Sequence, residues 1–386
     1  MDILVQSSFI RRKDMDTVLN CLVSDRLNPA DYATRLMKMA RERLGFDYGL
    51  PLRSPMNALS LAFSALGLKA GDHVAISALD PPWVHKTIVA DGFEVVWLDV
   101  DESSALPSTI GIDKARLAGC KALYLSERWG MVPDPAPYRD SGMYIIEDIS
   151  HSLGGNAGGI PAGTIGTLTM LGLEPASSIT GGGGAILYAT GKREGQALKN
   201  AAETVLNEEK MTDMNAALAL SQLRDLDKFL ARRAEIAAVY EQSLIRAHRK
   251  RLTGFDGMIQ GGETGSSSMN GSEQGERMAS TLTAVKDGDS SASSHAAGSV
   301  PERMHANFGC VIVLDSSVKD VRAYARKKDV DTVMAFEDSC IMLGMVPEGS
   351  CPVAASLANR CVAFPLNQRI GKTSAQKIAR VLATLP

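Results

Sequence analysis

Asp148 is the residue whose setting first suggests chemistry. It follows the apolar run Met143 to Ile146, and His151, Ser152 and Gly154 come soon after it. A carboxylate at the end of an apolar strand stands at the edge where open α/β sheets bind their ligands. The competing reading is a strand-end aspartate that caps the next turn. His151 taken alone reads as a structural histidine; beside Asp148 it becomes a candidate site residue. Gly181 to Gly184 is a glycine run, but it precedes the apolar stretch Ala185-Ile186-Leu187 and has no Lys-Ser/Thr partner. It reads as a tight turn rather than a phosphate loop or dinucleotide fingerprint. Ser54-Pro55 has the form of an ordinary helix cap, with proline at the first helical position. Six cysteines are scattered without a CxxC pair, which predicts reduced thiols and no metal site.

These residues need a scaffold, and the chain predicts one in its alternation of elements. Residues 1 to about 50 read as a helical lead-in, with Asn28-Pro29 as a helix start. Asn57 to Leu66 is a helical run that stops at Gly67. His73 to Ser77, Glu94 to Val100, Ala122 to Leu125 and Met143 to Ile146 read as strands. Alternating helices and strands predict an α/β fold with a mostly parallel sheet between helices. Thr212 caps a long helix of roughly 30 residues whose apolar stripe runs through Met214, Leu218, Leu223, Leu226 and Leu230. Beyond it, Cys310 to Leu314 and Val362 to Leu366 read as strands, Val318 to Lys328 as a helix, and a last helix starts near Thr373. The division expected is a lead-in over 1–50, a large α/β domain over 51–230, and a smaller C-terminal α+β domain over 231–386. The last is interrupted at 261–299, where 17 of 39 residues are Gly or Ser. Such a composition predicts a disordered insertion.

Bulk properties exclude several classes. With 386 residues, 45% hydrophobic and 22% charged, the chain has the balance of a globular protein of about two domains. A net charge of -3 favours neither nucleic acid nor an anionic membrane as partner. There is no signal-peptide pattern and no run of the roughly 18 apolar residues that a membrane span needs. A cytoplasmic protein is expected.

Four stretches, in order, resemble the DegT/DnrJ type of sugar aminotransferase, built on the large pyridoxal-phosphate fold. They are Gly71-Asp72-His73-Val74 through Leu98-Asp99-Val100-Asp101; Ile145-Ile146-Glu147-Asp148 with His151-Ser152-Leu153-Gly154; Met211-Thr212-Asp213-Met214-Asn215-Ala216-Ala217 through Arg232-Arg233-Ala234-Glu235-Ile236-Ala237; and Pro352-Val353-Ala354 through Val362-Ala363-Phe364-Pro365-Leu366. The resemblance implies a pyridoxal phosphate cofactor whose ring nitrogen pairs with Asp148, with His151 nearby. It also implies a homodimer with sites at the subunit boundary, acting on nucleotide-linked sugars in surface or spore-coat-type polysaccharide metabolism.

Around that cofactor the chain departs from the family. Where the family has Ser-Gly-Thr as phosphate cradle, this chain has Ser54-Pro55-Met56: Pro55 has no N–H and Met56 no hydroxyl. The second phosphate serine falls at Gly172. Proline takes the place of the ring-stacking aromatic, leaving Trp83 as the candidate. The Schiff-base lysine position is occupied by Ser177, and no lysine lies between Lys121 and Lys192. A lysine serves there both as imine partner and as proton carrier; a serine hydroxyl without an adjacent base does neither. Three readings follow: a degenerate homologue that has lost transamination and the cofactor, a lysine-independent enzyme holding the cofactor non-covalently with His151 or His85 as base, or a binding and scaffolding partner.

Overall fold

Strands of five mostly apolar residues, most of them separated by helices, pair in the computed structural model into one seven-stranded sheet; residues 4–25, 27–252 and 303–386 are described. The strands are β1 (Tyr48–Leu52), β2 (His73–Ser77), β3 (Glu94–Leu98), β4 (Ala122–Ser126), β5 (Tyr144–Asp148), β8 (Leu168–Gly172) and β9 (Ala185–Ala189), in the order β1-β9-β8-β5-β4-β2-β3. β3, β2, β4, β5 and β8 run parallel, while β9 is antiparallel to β8 and to β1. Two short strands, β6 (Asn156–Ala157) and β7 (Ile160–Pro161), form a separate hairpin that also pairs with β10 (Arg303–Met304).

The two-residue period of a strand sends alternate side chains to opposite faces, and β4 shows the result. Ala122 and Tyr124 join one core with Leu59, Phe63, Val84, Ile88 and Leu198, on α3 (Pro55–Ala65), α4 (Pro82–Ala90) and α7 (Lys192–Ala202). Leu123 and Leu125 join another with Ile112 on α5 (Thr109–Leu117) and Tyr138 on α6 (Ala136–Arg139). β8 and β9 are buried at every position, as strands covered on both faces must be.

A smaller antiparallel sheet, in the order β11-β13-β12, follows in β11 (Cys310–Val313), β12 (Val333–Met334) and β13 (Cys361–Phe364). Its alternation sends Cys310, Ile312, Val362 and Phe364 into a core with Tyr240, Val321 and Ile378. The opposite residues, Val311, Val313, Cys361 and Ala363, join Leu123 of β4 and Leu79, just past β2. The helices here are α9 (Leu226–Arg246), α10 (Val318–Lys327), α11 (Pro352–Arg360) and α12 (Lys372–Ala383).

Two expectations change. The lead-in holds two helices, α1 (Arg12–Val23) and α2 (Asp31–Leu44), and α2 does not start at Asn28-Pro29. Its open N–H groups, on Ala30, Tyr32 and Ala33, donate to the Asp213 carboxylate at 2.9, 3.0 and 2.9 Å, a cap supplied from far along the chain. The long helix after Thr212 is two helices, α8 (Asp213–Arg224) and α9, broken at Asp225, which leaves helical geometry at φ -107, ψ 16. The Asp225 carboxylate at the break binds Arg11, Lys13 and Lys228. The Gly181–Gly184 run is a turn, as expected: it ends the connection from β8 to β9, with Gly182, Gly183 and Gly184 all at positive φ. The Gly/Ser-rich insertion at 261–299 lies outside the described residues. Among those residues no helix is long and apolar enough to cross a membrane.

Candidate functional site

The C-terminal ends of β2, β4, β5 and β8 are neighbours, and the polar residues just beyond them form one network. Asp148 closes β5 and is buried. Tyr124, on the adjacent β4, donates its hydroxyl to Asp148 Oδ2 at 2.6 Å. Ser150 donates its N–H to Oδ1 at 2.9 Å and its hydroxyl to the same oxygen. Burial raises the Asp148 pKa, against the pull of Ser150, Tyr124 and Arg128. Burial, then the Asp148 charge, hold Tyr124 well above the usual phenol range, so it remains a neutral donor.

Asp80 follows β2. Its Oδ2 accepts from the Ser77 N–H at 2.9 Å, and burial pushes its pKa up to about 8 although Arg128 opposes the shift. Arg128 follows β4 and directs its donors elsewhere: to the Leu79 carbonyl at 2.6 Å and to Asp338 at 2.7 Å, with its guanidinium over the Phe336 ring. A C-terminal segment covers these strand ends. Cys340 N donates to Asp80 O at 2.9 Å, Ile341 N to Ala78 O at 3.1 Å, and Trp129 Nε1 to Ala335 O at 2.9 Å.

Ser177 enters the network through β8. The Gly172 N–H donates to Ser150 Oγ at 2.8 Å, and the Ser178 N–H to Ser150 O at 2.8 Å. A Cβ built on Gly172 would lie 2.6 Å from Ser150 Oγ and 3.7 Å from Ser177 Oγ. The hydroxyls of Ser150 and Ser177 therefore stand beside the same glycine, and Ser150 fills the space a side chain at 172 would need.

The other sequence candidates are placed differently. Trp83 meets Tyr124 edge-on, centroids 6.0 Å apart, so it reaches Asp148 only through that ring. His151 is stacked on Phe308 at 3.9 Å and accepts from the Trp129 N–H at 3.3 Å. Burial, then Arg128, lower its pKa to about 3, so it stays neutral and is a poor base. His85 is stacked on Trp97 at 5.3 Å. Ser54 caps its own helix, its hydroxyl bonded to Asn57 N and Oδ1. Met56 is exposed. Asp148, Ser177 and Trp83 are thus linked by intermediaries, while Ser54 and His85 are engaged elsewhere.

Sequence reasoning missed Tyr124, Asp80, Arg128 and Ser150. All but Tyr124, which lies inside β4, come within three residues after a strand's C-terminal end, so the strand-end argument used for Asp148 finds them when applied to β2 and β4 as well. It also finds Glu127, whose carboxyl is buried with both oxygens unbonded. Burial, then the facing Glu147, push its pKa well up. Glu147 accepts three backbone N–H bonds from Gly163, Ile165 and Gly166 at 2.7, 2.9 and 2.7 Å. Of the pair, Glu127 is therefore the one that keeps a proton.

The pattern of the DegT/DnrJ/EryC1/StrS aminotransferase family matches residues 9–260, well over half of the chain. The chain is a member of that family. The family member GDP-perosamine synthase of Escherichia coli O157:H7 is 24% identical over 258 residues, 62% of this chain and 71% of that protein. The dTDP-4-dehydro-2,3,6-trideoxy-D-glucose 4-aminotransferase of Saccharopolyspora spinosa is 26% identical over 223 residues, 50% of this chain and 57% of its own. Among solved structures, the aminotransferase TlmJ from Streptoalloteichus hindustanus superposes with a TM-score of 0.77 at 17% identity, covering 99% of this chain and 98% of that one. The sugar aminotransferase CalS13 from Micromonospora echinospora gives 0.74 at 15%, covering 99% of each. At these identities the structures establish the aminotransferase fold.

Pyridoxal phosphate, the cofactor this family implies, does not fit these residues as a covalently held group. Ser177 cannot form the imine. Ser54 is committed to its helix, Pro55 offers no N–H, and Gly172 has neither a free N–H nor room for a hydroxyl. Asp148 already accepts from Tyr124 and Ser150. What remains is a closed hydrogen-bond network in which burial holds the Asp80 carboxyl at about 8.

Proposed function

We propose that this chain is a family member that keeps the scaffold of a nucleotide-sugar enzyme but does not transaminate. Ser177 carries the reading. It occupies the lysine position, has no base beside it, and stands next to a glycine whose surroundings Ser150 has filled. Four cofactor positions differ together, which suits loss of the cofactor better than altered chemistry. Relatives named for GDP- and dTDP-linked sugars make a nucleotide sugar the ligand class to test first. A homodimer is supported by α1, where Met15, Leu19 and Leu22 recur on one side and stand exposed, as an unpaired apolar helix face does. Its six buried thiols suit a cytoplasmic setting.

The test is an absorbance spectrum of the purified protein from about 300 to 450 nm, with and without added pyridoxal phosphate. No band is expected, and none that sodium borohydride shifts. A stable band that borohydride does shift overturns the reading. Asp148, still at the end of β5, favours a second reading in which the cofactor is held without a lysine. Turnover of a nucleotide-linked keto-sugar after addition of pyridoxamine phosphate would select it.

A further inference from the structure

Arg233 is the buried cation whose charge the structure leaves unmatched. It is 4% exposed, and among the described residues no carboxylate lies within ion-pair distance of it. Other sheltered arginines do have one: Arg11 holds Asp14, Arg128 holds Asp338 and Arg251 holds Glu241. Arg233 instead donates one Nη2 bond, long at 3.3 Å, to the Ser178 carbonyl, and its Cζ lies 5.4 Å from the Phe308 ring centre. Its Nε has no partner. Ser178 is 3% exposed and its hydroxyl has no partner either. Two donors, on residues joined by that hydrogen bond and one of them cationic, are therefore both buried and unused. Buried polar groups are as a rule hydrogen-bonded, and a buried charge is as a rule paired. The group that meets both requirements at once is an anion with two or more oxygens, which a guanidinium fork recognises with directional bonds.

We propose that Arg233 and the Ser178 hydroxyl form a subsite for a small oxyanion, a carboxylate or a phosphoryl group. The subsite adjoins Ser177, so a ligand anchored there would extend toward the strand-end network of Asp148 and Ser150. Burial draws the Arg233 pKa down to about 10, and an anion beside it would reverse that shift. None of this depends on whether a cofactor is retained, so the spectral test above and the test below fail independently.

The test is calorimetric titration of the full chain with inorganic phosphate and, separately, with acetate, at an ionic strength held constant with chloride. The two anions tell a phosphoryl from a carboxylate preference. Binding of at least one is expected. Ser178→Ala should weaken it about tenfold, the loss of one hydrogen bond to a charged group, and Arg233→Gln should abolish it. Lys319→Gln, beside the open cavity at Ser317 and Arg322, should leave it unchanged. No heat from either anion at tens of millimolar overturns the proposal. So does equal affinity in the wild type and Ser178→Ala, or binding lost in Lys319→Gln instead. If Arg233→Gln does not fold, the Ser178→Ala comparison decides.

Discussion

Replacing Asp80 by asparagine should stabilise this protein at neutral pH, by an amount that grows as the pH rises. Asp80 is buried, its carboxyl titrates at about 8 instead of 3.8, and Arg128 spends its donors on Leu79 and Asp338. The folded pKa lies above the unfolded one, so the folded chain keeps a proton that the unfolded chain releases. This group's contribution to stability is therefore complete below about pH 4 and is lost as pH rises toward 8. The slope is about 1.4 kcal/mol per pH unit, or about 4 kcal/mol between pH 4 and pH 7. Asparagine has nearly the same shape, keeps an acceptor for the Ser77 N–H, and carries no proton to lose. Urea unfolding of wild type and Asp80→Asn at pH 5, 6 and 7 should show the variant gaining about 1.4 kcal/mol per unit over the wild type. Other carboxyls titrate in both proteins and cancel in the difference. A pH-independent difference refutes the neutral carboxyl. A variant that loses most at pH 7 shows instead that Asp80 and Arg128 form an ion pair.

Gly172→Ala should destabilise by about 1 to 3 kcal/mol in urea, the usual cost of overpacking, because the new Cβ would meet Ser150 Oγ. Adding Ser150→Ala should recover part of that, and no recovery would count against the contact. Asp213→Ala removes the acceptor for three N–H groups at the start of α2. It should cost about 2 to 3 kcal/mol and expose the amides of residues 30 to 33 to faster hydrogen exchange; unchanged exchange would show that the cap is not carried by this carboxylate.

What could be read in advance divides along a physical line. β2, β4 and β5 announce themselves because each is a short apolar run, and Asp148 because it ends one. The network around it depends on which strands become neighbours, and β2, β4, β5 and β8 are not consecutive in the chain. Tyr124 looks like one more apolar strand residue until β5 is set beside it. The break at Asp225 was hidden because the apolar stripe continues through it; the basic groups gathered on its carboxylate include Arg11 and Lys13, from the first helix and its cap. The cap of α2 by Asp213 is concealed in the same way, since no local spacing records a partner so distant. That Ser150 fills the space beside Gly172 could not be read from either residue alone, because it depends on β5 and β8 becoming neighbours.

The segment over the strand ends also orders events in time. Asp80 is covered by Cys340 and Ile341, which leave the ribosome long after β2 and β4 are made. Until they arrive its carboxyl meets water and is ionised at neutral pH. Closing this segment over Asp80 therefore takes up a proton from solvent, and a stretch of chain made well after β2 sets the charge just beyond that strand's end.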